Sequence, residues 1–285
     1  MRVNEYVVAG PGDGPYGVAV DDGGAVWTTL VHAGQVARLD PASGEVTRFD
    51  LKAPESRPMV IAPGPEGGIW FSRSDNQIGR IGPEGEVTSF EVSSAAYGLC
   101  AGPDGAIWFT LLMADRIGRI AADGKVTEYD VPVPGGFVSM IAAGPEHLWF
   151  TLNQGNAIGR TTPDGAIEVL PLPTEGAAPV GIAVGADGVW FAEIGAGRIG
   201  RVHPDGSIEE YALPDPACRP HAVVAVPGGG CWATLWASGT AVRLDTNGVV
   251  VDEAVFGPGT EPHGLTLAGS SLWVALETGV LARVG

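Results

Sequence analysis

The stretch Gly102-Pro103-Asp104-Gly105-Ala106-Ile107-Trp108-Phe109-Thr110 decides the fold. Asp-Gly permits a tight hairpin turn because glycine tolerates positive φ. The run behind it is β-branched and aromatic, the composition of a strand. Variants of the phrase recur along the chain. The tryptophan returns as Trp27, Trp70, Trp149, Trp190, Trp232 and Trp273, a step of ~41 residues. An Ile-Gly-Arg phrase keeps pace with it, with arginines at Arg38, Arg80, Arg119, Arg160, Arg201, Arg243 and Arg283.

One unit holds four strands. In the third, residues 97–101, 107–111, 116–120 and 125–129 are short strand-like runs. Asp-Gly turns join the first to the second and the third to the fourth, and the last run alternates polar with apolar as a half-buried edge strand does. Four antiparallel strands every ~41 residues make a β-propeller blade. No unit holds a helical period free of Gly and Pro. The prediction is an all-β, seven-bladed β-propeller, a single domain over residues 1–285. The last unit stops after its third strand, and Asn4-Glu5-Tyr6-Val7-Val8 matches the fourth-strand phrase Thr127-Glu128-Tyr129-Asp130-Val131. The N-terminal strand is therefore expected to close the last blade, leaving no open edge at the join.

Composition narrows the partners. The chain has 16 Lys+Arg against 33 Asp+Glu, a formal charge of −17, which repels phosphate backbones and anionic lipid. Nucleic acid and membrane are not expected partners, and no apolar run has the length of a membrane helix. The first ten residues lack the apolar stretch of a signal peptide. Cys100, Cys218 and Cys231 cannot all pair. A reduced, cytoplasmic protein is the simplest reading, and a closed ring needs no partner, which favours a monomer.

A residue type present in all seven blades serves the blade. The tryptophans are expected to pack between blades, and the arginines to satisfy acids or carbonyls between blades. Function is sought where the repeat breaks. With strands lettered a (innermost) to d, the b–c loops and the d–a crossings share one face with the start of strand a. The aligned residues there are Tyr16, Met59, Tyr97, Ser139, Val180, His221 and His263. Two neighbouring blades read Pro-His, at Pro220-His221 and Pro262-His263. Residues i and i+2 of a strand share a side, which would turn Glu261 the same way as His263. Glu277 emerges from the b–c loop of the same blade. Two carboxylates and two imidazoles so close are the usual signature of a site. Glu193, at nearly the same place in blade five, is expected to be solvated. His32 lies in the first b–c loop on this same face and could touch substrate, though a solvated histidine is the favoured reading, and His147 and His203 are expected to be exposed on the far face. Gly195-Ala196-Gly197-Arg198-Ile199-Gly200 fits a dinucleotide-binding spacing but lies in a hairpin with no helix to follow.

At these residues the chain resembles the virginiamycin B lyase, or streptogramin B lyase, family. The resemblance spans the chain. Its specific part is Pro-His at 220–221, Glu-Pro-His-Gly at 261–264 and Glu277, while the repeat phrases occur in propellers of other function. It implies a Mg²⁺-dependent carbon–oxygen lyase of antibiotic resistance. Such an enzyme opens a cyclic depsipeptide at its threonyl ester by elimination, not hydrolysis. It implies His263 as catalytic base, His221 as a catalytic residue that also orients substrate, Tyr16 as a substrate contact, and Glu261 and Glu277 as metal ligands. Those types suit the chemistry. Carboxylate oxygens suit Mg²⁺, imidazole titrates near working pH, and a weakly acidic α-proton calls for a polarised neighbouring carbonyl. Most b–c loops carry Thr-Leu where the family commonly has Thr-Glu. Two other readings are a non-enzymatic propeller that binds a ligand or protein on this face, and a metal lactonase. The rim lacks the Asn and Asp ligands of the latter.

Overall fold

The computed structural model describes residues 1–285. It contains seven four-stranded antiparallel sheets. In blade one, strand a is Pro15–Val20, b is Val26–Leu30, c is Gln35–Leu39 and d is Val46–Asp50. The remaining blades repeat this order. Helical geometry is limited to two 3₁₀ turns, Pro54–Ser56 and Pro65–Gly67, and no helix is long and apolar enough to cross a membrane. In blade seven the outer strand is Val3–Val7, paired with Val280–Val284 from Val3↔Val284 to Val7↔Val280. The ring closes as the sequence predicts.

The core is divided among the blade junctions. Strand b is wholly buried in blades one, two, three, six and seven. Each repeated tryptophan packs against the next blade. Trp190 meets Val223, Cys231 and Ala233 of blade six, and Trp273 meets Val18, Val26 and Leu30 of blade one. The three cysteines are unpaired.

The arginines differ from expectation. Most serve their own blade, because each stands directly opposite the tryptophan across strands b and c, as in Trp108↔Arg119. In six blades, all but that of Arg243, the guanidinium lies over the ring, 5.9 Å from its centre in this pair and 4.8 Å for Arg201 on Trp190. Arg119 then reaches Asp104 of its own a–b turn. Arg201 alone also reaches a neighbouring blade, donating to the Thr246 carbonyl at 2.7 Å.

Strand a is bulged in six blades. In blade one the pairing with strand b shifts between Pro15 and Val18, and the same shift recurs at Pro220/Val223 and Pro262/Leu265. A bulge re-aims the residue it frees, here the one at the channel mouth. A hydroxyl of strand b fills the gap. Thr29 accepts the Gly17 N–H and donates to the Met59 carbonyl of blade two. Ser72, Thr110, Thr151 and Thr234 likewise donate to the carbonyls of Tyr97, Ser139, Val180 and His263. This is the work of the threonine in the repeated phrase. Each hydroxyl ties its blade to the mouth residue of the next.

Candidate active site

The chain enters strand a through a left-handed residue two places before the mouth. Gly14, Arg57, Phe137, Ala178, Arg219 and Glu261 all have positive φ there. Glu261 therefore lies outside the pleat of strand a, which begins at Pro262. Glu261 and His263 do line one cavity, but through this turn rather than by strand alternation.

That cavity, about 460 Å³, lies on the face of the b–c loops. Its walls include Tyr16, His32, Tyr97, Glu261, His263 and Glu277 together with the apolar Val31, Met59, Leu112 and Met113. The face predicted from topology thus carries a cavity that gathers these polar residues. A second cavity of about 280 Å³ runs down the central channel beneath it, and His221 lines this lower space.

Glu277 is held by two imidazoles. Its Oε2 lies 2.9 Å from His263 Nε2 and its Oε1 2.8 Å from His32 Nε2. The hydrogen bond with His263 holds the Glu277 carboxyl below its ordinary value. Partial burial opposes this, and His32 adds to it. His32 thus belongs to the site, the lesser of the two readings the sequence offers for it. It comes from blade one, and only the meeting of first and last blades reveals it. Gly14 makes room for the contact. A Cβ there would fall 2.5 Å from His32 Cδ2 and 3.0 Å from Glu277 Oε1.

Tyr16 joins the two rim histidines. Its ring lies over His263 with centroids 4.5 Å apart. Its hydroxyl is 3.2 Å from His221 Nε2 and 2.6 Å from the Tyr97 hydroxyl. The two imidazoles stand edge-on, 5.2 Å apart. Burial, then the neighbouring His263, pushes His221 down to about 3, so it is neutral at working pH. Burial, with Tyr97 beside it, holds the Tyr16 phenol well above its ordinary value. The Nδ1 atoms of both histidines are buried without a hydrogen-bond partner. Nε2 is therefore the nitrogen that each ring can offer.

Glu261 makes no hydrogen bond to the protein, leaving both oxygens available to the cavity. No group of three or more His, Cys, Asp or Glu is arranged to hold a metal ion. Two carboxylates on one cavity still fit Mg²⁺, which commonly takes one or two protein oxygens and keeps several waters.

Glu193 departs from expectation. It is fully buried, with neither oxygen hydrogen-bonded. Burial, then the neighbouring Glu210, raises its carboxyl to about 8. The cause is register. Glu193 pairs with Arg198 as Leu276 pairs with Val280, so it matches Leu276 and not Glu277. One residue along a strand is the opposite face. On the far side of the disc, His147 and His203 are half-buried rather than exposed. His203 lies between Arg201 and Glu209.

The profile of the Virginiamycin B lyase family matches residues 1–284. A virginiamycin B lyase of Nocardia farcinica is 44% identical over 131 residues, 45% of this chain and 44% of that protein. One of Streptomyces coelicolor is 52% identical over 88 residues, 31% of this chain and 29% of that protein. These alignments span less than half of either relative. Solved structures match along the whole chain. Selenomethionine-substituted virginiamycin B lyase from Staphylococcus aureus superposes with a TM-score of 0.95 at 36% identity, covering 99% of this chain and 98% of that one. A catalytically inactive histidine-to-alanine variant of the Staphylococcus aureus lyase, solved with quinupristin, gives 0.94 at 36% identity, with the same coverage.

Proposed function

Because the chain belongs to the virginiamycin B lyase family, we propose that it opens the ring of a streptogramin B antibiotic by elimination at the threonyl ester. The observation that carries this reading is Glu277 bridging His263 and His32 on a cavity that Tyr16 and Glu261 also line. A merely binding propeller has no use for a carboxylate set between imidazoles. The inactive histidine variant solved with quinupristin fits an enzyme in which one histidine is indispensable.

In the elimination the α-proton leaves the threonyl residue, a Cα=Cβ double bond forms, and the bond from Cβ to the ester oxygen breaks. The ester carboxylate departs and the ring opens with no water consumed. His263 takes the α-proton at Nε2 in the tautomer that carries the ring hydrogen on the buried Nδ1. In the free protein Nε2 faces Glu277 Oε2, so substrate entry must shift that carboxylate. Glu261 and Glu277 would hold Mg²⁺, whose chemistry here is polarisation of the carbonyl beside the α-carbon. Tyr16 shields the face of His263 and orients His221 beneath the substrate. The wall of Val31, Met59, Leu112 and Met113 suits the apolar side chains of a cyclic depsipeptide.

Mass spectrometry separates the outcomes. Elimination yields a linear product of the antibiotic's own mass, and EDTA abolishes its formation. A product heavier by one water would replace elimination by hydrolysis. Intact antibiotic after prolonged incubation with protein and Mg²⁺ would reject the lyase reading.

A further inference from the structure

We propose that Tyr97 is a positioning residue of this site, its hydroxyl fixing the Tyr16 phenol and, through it, both rim imidazoles. Tyr97 comes from blade three, while Tyr16, His32, His221, Glu261, His263 and Glu277 come from blades one, six and seven. It occupies the mouth position where Met59, Ser139 and Val180 stand in blades two, four and five. The two phenols approach edge-on, with oxygens 2.6 Å apart. Tyr16 and Tyr97 are the only residues that line both the upper cavity and the channel below. Their hydrogen bond is thus the floor of the substrate space.

The bond also carries direction. The Tyr16 hydroxyl has one hydrogen and two partners, Tyr97 and His221 Nε2. It donates to one and accepts from the other. If Tyr97 donates to Tyr16, Tyr16 donates to Nε2, and the single ring proton of neutral His221 sits on Nδ1. If Tyr16 donates to Tyr97, Nε2 carries the proton and donates to Tyr16. The Tyr97 hydroxyl therefore biases the tautomer of an imidazole it does not touch. Ser72 keeps it in place by donating to the Tyr97 carbonyl at 2.6 Å.

The test is Tyr97→Phe, which keeps the ring and removes only the hydroxyl. In free protein carrying ¹⁵N-histidine, the His221 ring-nitrogen resonances should shift in the variant. Unchanged resonances overturn the proposal, and this readout needs no substrate. The kinetic arm rests on the lyase reading. There kcat should fall about tenfold, the worth of one well-placed hydrogen bond, with KM within about twofold. Tyr97→Phe added to Tyr16→Phe should cost nothing further, because Tyr97 acts through Tyr16. Additive losses, or full turnover in Tyr97→Phe, count against the proposal. If the wild type leaves the antibiotic intact, the lyase reading fails alone, and the nitrogen spectra still decide the role of Tyr97.

Discussion

The Thr234 hydroxyl donates at 2.9 Å to the carbonyl of His263 while accepting the Ala222 N–H at 3.0 Å. The backbone that carries the rim imidazole is thereby anchored to blade six before the imidazole meets Glu277. Ala192 and Ala275 stand at the matching place in blades five and seven, so no such hydroxyl reaches the carbonyls of His221 or Tyr16. Thr234→Val keeps the shape and leaves two buried backbone groups unpaired. It should cost ~1–3 kcal/mol of stability and lower kcat, with Thr234→Ser restoring both. Chemical denaturation and steady-state kinetics check this. A variant as stable and as active as the wild type would remove the anchor from the account.

His263→Ala should lower turnover by ~10²-fold or more, the usual contribution of a positioned base. Glu277→Gln should also lose most activity, because an amide cannot accept from both His263 and His32 while offering a charged oxygen. Both side chains line the cavity, so circular dichroism and thermal unfolding should stay near wild type. Retention of near-full activity by either would displace the proposed chemistry from this pair.

Gly14→Ala should damage the site without altering any catalytic group. The backbone there has φ +67, and the new methyl would collide with His32 and Val31 and crowd Glu277. The expected cost exceeds ~1 kcal/mol from conformation alone, with a loss of kcat from a displaced Glu277. In a His32→Ala background the further kinetic loss should shrink, since one clash is gone. An equal loss in both backgrounds would show that the damage arises elsewhere.

Glu193 gives a stability profile that runs opposite to the usual carboxylate. Its folded value is raised to about 8, so the folded state holds a proton that the unfolded state has released. Its contribution is therefore complete below the ordinary glutamate value and is lost as pH rises through about 8. Arg198 and Glu210 are the charged groups beside it. Glu193→Leu, the residue found at this place in five blades, should flatten that decline and raise the melting temperature at pH 8. The gain would be ~2–4 °C for each kcal/mol relieved. Parallel melting curves against pH for the two proteins would refute it.

The ring was readable because a blade repeats its chemistry. Trp27 to Trp273 and Arg38 to Arg283 stay in phase, and Val3–Val7 carries a fourth-strand pattern. The neighbouring Pro-His pairs and Glu277 were visible as breaks in that repeat. What escaped depended on single-residue register or on contacts across distant sequence. Glu193 looked like Glu277 until strand pairing aligned it with Leu276. His32 lies 245 residues from Glu277, and no local pattern ties them. Tyr97 stood in the aligned row of mouth residues, but its partnership with Tyr16 spans two blades. Most of the arginines stay within their own blades because each lies opposite its own tryptophan, a pairing that spacing alone does not show.

The splice of Val3–Val7 onto Val280–Val284 has a consequence for activity. Blade seven, with His263 and Glu277, and blade one, with Tyr16 and His32, sit on either side of that seam. A chain folded everywhere else but unfastened here would hold each half of the catalytic apparatus intact and idle. For the proposed lyase, turnover would therefore work as a built-in inspection of assembly. Weakening the clasp should silence the enzyme before the remaining blades begin to melt.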